Sequence, residues 1–194
     1  MKKLSSFKGV IVILVLAALI IMYFYHLSNV SRGEEEDEAA AVKNAVTEVL
    51  QRNLTTDYPQ TPKEVVKYFS EITKCYYNEK LGDDDVEALA TQMLYLYDDE
   101  LASAKSFDEY MFDLRSDITY YNTNGYVISS YSPSASTDVE YFTQDGHQWA
   151  RLWCVYTIKC GRNYKPIQEV FILRKDEKSH WRIFGWKEVV KEDK

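Results

Sequence analysis

Sixteen consecutive residues, Val10 to Tyr25 (VIVILVLAALIIMYFY), carry no charge and no proline. With Gly9, His26 and Leu27 the run approaches the roughly 20 residues that an α-helix needs to cross a bilayer core. It is apolar all round and has no polar face to turn to water, so it does not fit an ordinary helix of a soluble core. Lys2, Lys3 and Lys8 precede it, and Glu34-Glu-Glu-Asp-Glu38 follows. Cytoplasmic flanks of membrane helices collect Lys and Arg, so the N-terminus is expected inside and the rest exported. Tyr23, Phe24, Tyr25 and His26 would then form the outer aromatic belt. A cleaved signal peptide needs small residues just beyond the apolar core, where this chain has bulky aromatics, and no cysteine follows for lipid attachment. The expected layout is a cytoplasmic basic tail (1–8), a transmembrane signal anchor (9–27), an acidic stalk (28–36) and an extracytoplasmic domain (37–190).

Charge is divided unevenly along the chain. Residues 1–33 hold Lys2, Lys3, Lys8 and Arg32 and no acid, yet the whole chain carries a net charge of −7, so the exported part is more acidic still. That excludes a general nucleic-acid binder, which needs basic patches to neutralise phosphates. It also argues against attraction of the domain to anionic lipid. Sixteen Tyr and four Trp, nearly all beyond residue 57, supply enough apolar surface for a real core. Cys75, Cys154 and Cys160 match neither a disulfide framework nor a zinc site. Cys154 and Cys160 fall on one expected strand, about 20 Å apart, too far to bridge. Cys75 could reach either one only if a helix packs on that strand; the plainer reading is three buried free thiols acting as small apolar residues.

Helical periodicity begins with the stripe Ala39, Val42, Val46, Val49 and Leu50 and breaks at Asp57-Tyr-Pro-Gln-Thr-Pro62. Thr61-Pro-Lys-Glu64 is a capping box with proline at the first helical position, and it opens a helix with Val65, Phe69, Ile72 and Tyr76 inward. Gly82 and Asp83 to Asp85 start the next helix, which buries Val86, Leu89, Ala90, Met93 and Tyr97. Ser106-Phe-Asp-Glu109 is a second capping box, opening a helix with Tyr110, Leu114, Ile118 and Tyr121 inward. After Asn122-Thr-Asn-Gly125 the period changes from 3.6 to 2. Strands are expected at Tyr126–Tyr131, Val139–Thr143, Trp149–Cys160, Gln168–Arg174 and Trp181–Trp186, with a tight hairpin at Asp145-Gly146. In the long strand Ala150, Leu152, Cys154, Tyr156 and Ile158 share one face, and Trp149, Arg151, Trp153, Val155 and Thr157 share the other. In the last strand Trp181 and Ile183 are expected on one face and Phe184 and Trp186 on the other, with Arg182 reaching solvent or an acid such as Glu169. Helices over 37–121 followed by a meander over 126–187 describe an α+β domain of three or four helices packed on four to five antiparallel strands.

The turn Asp145-Gly146, the strand ARLWCVYTIKC, the strand EVFILRKDE and the closing WRIFGW together resemble the nuclear transport factor 2-like superfamily. Helices of the form KEVVKYFSEITKCYYNE and DVEALATQMLYLYDDELA before such a sheet also resemble small membrane-anchored proteins of Gram-positive bacteria. The resemblance spans about residues 62–188 and implies a cone in which a curved antiparallel sheet wraps helices and leaves a pocket between them. The chain departs from that pattern in running its helices consecutively, with no early strand among them. The superfamily includes isomerases, dehydratases, ligand binders and interaction domains, so fold alone does not assign an activity.

No coherent catalytic set is visible, and no residue pattern calls for a metal or cofactor. His26 belongs to the membrane interface, and His147 and His180 are expected exposed at hairpin ends. Asp113 and Asp117 read as a solvated helix face. Asp83 to Asp85 lack the alternation and distal Glu of a calcium loop and read as acids at a helix N-terminus. Asp98-Asp-Glu100 sits oddly near an expected helix C-terminus. The aromatic set Tyr97, Tyr121, Trp149, Trp153, Tyr156 and Trp186 is the candidate pocket or interaction surface, since such rings suit a wall that is apolar on one side and wet on the other. The expected function is a membrane-anchored, extracytoplasmic binding or protein-interaction module without catalysis, with a small ligand or another envelope protein as partner. The alternatives are a small isomerase- or dehydratase-type enzyme and a structural subunit of an envelope complex. Protease added to intact protoplasts should digest residues 34–194 and spare the extreme N-terminus; protection of the domain would reverse this orientation.

Overall fold

The computed structural model describes residues 45–189. The apolar run, the acidic stalk and the start of the first expected helix lie outside the described residues. Among the described residues no helix is long and apolar enough to cross a membrane.

Capping chemistry sets the helix starts. Thr61 accepts from the Glu64 amide, the Glu64 carboxylate accepts from the Thr61 amide, and Pro62 opens α1 (Pro62–Asn78). α2 (Asp83–Leu96) begins at Gly82, whose amide donates to Asp85. Asp98 caps a one-turn helix, α3 (Asp99–Ala102), by accepting from the Glu100 amide. The acids that looked misplaced at a helix end therefore stand at a helix start, where the dipole favours them. Ser106 and Glu109 form the capping box of α4 (Phe107–Asn124). This helix ends at Gly125, at φ +63°, a left-handed value that glycine adopts without strain. Residues 45–50 are also helical, and Tyr68 donates to the Val49 carbonyl at 2.8 Å to join that segment to α1.

Five strands follow: β1 (Tyr126–Pro133), β2 (Glu140–Gln144), β3 (His147–Cys160), β4 (Asn163–Lys175) and β5 (Trp181–Glu188). They form one antiparallel sheet in the order β1-β3-β4-β5. β2 pairs with the first part of β3 and β1 with the last part. At the β2–β3 turn Asp145 and Gly146 both have positive φ, as a tight hairpin requires. The architecture is thus α+β, with five α-helical segments and five strands among the described residues. The helices cover one face of the sheet. Ala150, Leu152, Cys154, Phe171, Leu173 and Ile183 are fully buried on that inner face, while Arg151 and Val155 are exposed on the other. α1 is tied to β1 by Asn78, whose side chain both donates to the Ile128 carbonyl (2.9 Å) and accepts from its amide (2.8 Å).

The closing strand departs from simple alternation. Leu173 pairs with Ile183 and Ile172 with Gly185, so Phe184 is an extra residue in a β-bulge. Phe184 turns outward against Trp149, with ring centres 5.1 Å apart. Beyond the bulge Trp186 pairs with inward-facing Phe171 and lies against Phe69. The expectation that Phe184 and Trp186 share a face is therefore corrected: the inserted residue returns Trp186 to the side of Trp181 and Ile183. Arg182 does not reach Glu169. It bonds Asp176 at 2.9 Å and the Tyr95 carbonyl, and it covers the Tyr58 ring. Of the three free thiols, Cys75 and Cys154 are buried, but Cys160 is exposed at the end of β3.

Ile183 has no exposed surface and joins the core cluster with Leu173 and Leu96. Ile183→Ala should cost about 2–5 kcal/mol in a denaturant titration. Val155→Ala, on the outer face, should change stability by no more than about 0.5 kcal/mol. Equal losses would mean that the inner face is not the core.

Candidate functional site

Along α1, Phe69, Thr73, Tyr76 and Tyr77 recur at spacings that place them on one side of the helix. Along α4, Tyr110, Asp113, Leu114, Asp117 and Tyr121 do the same. These two rows face each other beside the uncovered end of the inner sheet face. Tyr97, Leu101 and Ala102, at the end of α2 and in α3, close a third side, and Tyr156, Ile158, Ile167, Glu169 and Trp186 form the sheet wall. The cavity between them, open to solvent on one side, measures about 380 Å³.

Tyrosine hydroxyls dominate its polar chemistry. Tyr76 is buried, and its hydroxyl has no hydrogen-bond partner of good geometry, although Tyr110 lies close enough to influence its ionisation. Burial, followed by the neighbouring Tyr110, holds the Tyr76 and Tyr97 hydroxyls firmly in the neutral form. Tyr156 is already engaged: Ser70 donates to the Val66 carbonyl, so the Tyr156 hydroxyl donates to Ser70 Oγ at 2.7 Å. Tyr77 and Tyr121 stack with centres 3.9 Å apart across the gap between α1 and α4.

Three carboxyl groups line the same space. Glu169 pairs in register with Cys154 on one side and Glu188 on the other. Burial, reinforced by the Glu188 charge, pushes the Glu169 carboxyl up to about 7. Asp117 is raised above the usual carboxylate range, by burial first and the Asp113 charge second. Asp113 is ion-paired to Lys105, the one base among the described lining residues.

Of the aromatic residues singled out from the sequence, Tyr97, Tyr121, Tyr156 and Trp186 line the cavity. Trp149 and Trp153 do not join them, because a period of two sends them to the opposite face from Tyr156. Trp149 stacks on Phe142 and lies near Arg174, in a shallower depression shared with Tyr141 and Trp181. The backbone of Trp153 exchanges hydrogen bonds with Ser134. Asp113 and Asp117 are exposed, as expected of a solvated helix face, and they also border the cavity. Glu169, Tyr76, Tyr77 and Tyr110 belong to its wall, and the parity that Glu169 shares with Phe171 and Leu173 is the sequence signal that points it inward. His147 is exposed, whereas His180 is half-buried against Tyr58, with ring centres 4.3 Å apart. Asp83, Asp84 and Asp85 occupy the first turn of α2. Among the described residues no group of three or more His, Cys, Asp or Glu is placed to hold a metal ion.

A protein-family model described as Domain of unknown function (DUF6715) matches residues 1–186. The chain belongs to this family. The match takes in the N-terminal apolar run together with the helices and the sheet. No curated protein matches the chain.

Raising a carboxyl to about 7 in the folded state, from an ordinary 4.5, means that the fold holds this proton more tightly than the unfolded chain does. The associated stability is present below the ordinary value and is lost as pH climbs to about 7. Glu169→Gln should therefore melt higher than the parent above neutral pH and match it in mild acid. A parent-like melting temperature across the whole range would mean that Glu169 is fully solvated.

Proposed function

We propose that this is a non-catalytic binding module, held at the outer face of the cell membrane by residues 9–27, and that its cavity receives a small ligand. The observation that carries the proposal is the cavity itself. Its volume of about 380 Å³ falls within the range of small-molecule sites, and its wall is mostly apolar and aromatic with a few polar groups. Helices on one face of an antiparallel sheet, with a cavity at the uncovered end, also support placing the domain in the nuclear transport factor 2-like superfamily. The acidic segment after the apolar run, and the basic residues before it, support the outward orientation.

A second reading, a pocket enzyme of isomerase or dehydratase type, is favoured by Glu169. A carboxyl near 7 can take up and return a proton at neutral pH. The binding reading is preferred because none of the described residues hydrogen-bonds that carboxyl, whereas a catalytic base is held in position by such bonds.

Fluorine NMR of the full chain with para-fluorobenzyl alcohol tests the cavity. Saturable line broadening is expected for the parent chain and for Val155→Trp on the outer face. Ala102→Trp, which fills the cavity from α3, should abolish it while the chain stays folded by its far-ultraviolet dichroism. Equal broadening in all three would locate binding elsewhere.

A further inference from the structure

The character of the cavity wall narrows the ligand class, an inference that rests on the binding reading above. We propose that the cavity takes an organic cation, an amine or quaternary ammonium group carried on an apolar body.

The carboxyl groups come from opposite walls. Glu169 projects from the sheet and Asp117 from α4, and Glu188 stands beside Glu169 in register. The lining base, Lys105, is ion-paired to Asp113 and offsets Asp117 only in part, while Glu169 has no cation beside it among the described residues. Ionised carboxylates drawn out of water are disfavoured until a counter-charge arrives, and the raised positions of both groups express that cost. A bound cation supplies the counter-charge. The surfaces between the acids suit one as well: the stacked Tyr77–Tyr121 pair and Trp186, which is 38% exposed, offer electron-rich rings of the kind that attract ammonium groups. An independent observation lies deeper in the cavity. The Tyr76 hydroxyl is buried in the wall with only Tyr110 near it and no hydrogen bond of good geometry, and an amine N–H or a ligand hydroxyl would satisfy it. Met93, Leu94, Leu114 and Ile128 leave apolar surface for the body of the ligand.

Competing classes fit less well. An anion would face three lining carboxyl groups with a single base already paired. A hard divalent metal requires about six to eight oxygen ligands in one shell, and no such group of acids occurs among the described residues. A neutral apolar ligand would bury the carboxyl groups further without compensating them.

Affinities of para-fluorobenzyltrimethylammonium, para-fluorobenzyl alcohol and para-fluorophenylacetate for the full chain, measured by fluorine NMR titration, decide the question. Above neutral pH the cation should bind about tenfold more tightly than the alcohol, with the anion weakest. The advantage should shrink in mild acid, where Glu169 is protonated. Replacing both acids (Glu169→Gln with Asp117→Asn) should erase the cation's advantage over the alcohol, whereas Glu140→Gln on β2 should preserve it. An alcohol that binds as tightly as the cation, or an advantage that survives the double replacement, overturns the cation assignment and leaves the cavity reading standing. Absence of binding by both the alcohol and the cation overturns both.

Discussion

The pairing of β3 with β4 carries the rest of the domain. The two strands run in register from Trp149–Arg174 to Cys160–Asn163, and every other residue along them faces the helices. Leu152 against Phe171 and Ala150 against Leu173 are fully buried pairs. The same parity continues to Cys154, covered by Ser70 of α1, and to Glu169, Tyr156 and Ile167, which line the cavity. A slip of one residue would exchange the two faces, sending Leu152 and Phe171 to solvent and bringing Arg151 into the core. The strong preference for burying those large side chains thus keeps Glu169 and Tyr156 in the cavity wall, although neither position would be chosen for its own sake.

The second determinant is the edge formed by β5. The bulge at Phe184 lets two consecutive stretches of the strand satisfy different neighbours. Before it, Ile183 enters the core, and its carbonyl accepts from the Asp98 amide at 2.8 Å. After it, Trp186 closes the sheet wall beside Tyr97 and Phe171. Asp98 is held there by Arg174, which meets its carboxylate with two guanidinium nitrogens and also bonds Glu100 at 2.7 Å. Such a bidentate pair gives geometry as well as energy. It anchors α3 against the sheet, and α3 in turn presents Leu101 and Ala102 to the cavity.

Function, on this view, follows from incomplete filling. α1 packs on the sheet from Ser70, whose hydroxyl bonds Tyr156, to Asn78 on β1, but the side of the helix that carries Thr73, Tyr76 and Tyr77 borders a gap toward α4. Tyrosines suit that position, since their rings bury well while their hydroxyls remain neutral donors and acceptors. The carboxyl groups among them are kept only partly solvated, so their charge depends on what else enters.

Much of this was legible in the chain itself. Local chemistry determined the helix starts at Thr61 and Ser106, the hairpin at Asp145-Gly146 and the two faces of β3, because capping hydrogen bonds, left-handed turns and a period of two act over a few residues. Those signals place Tyr156 and Tyr97 inward and also identify the α+β class. They do not reveal the bulge at Phe184, which exists because Trp186 meets Phe171 and Phe69 from distant parts of the chain. Nor do they distinguish an acid on a solvated helix face from one on a cavity wall. Asp113 and Asp117 have the spacing of exposed residues and are exposed, and only the docking of α4 opposite Glu169 places them at the edge of the cavity. Burial of a charge is set by what packs across from it, and that is decided by tertiary structure alone.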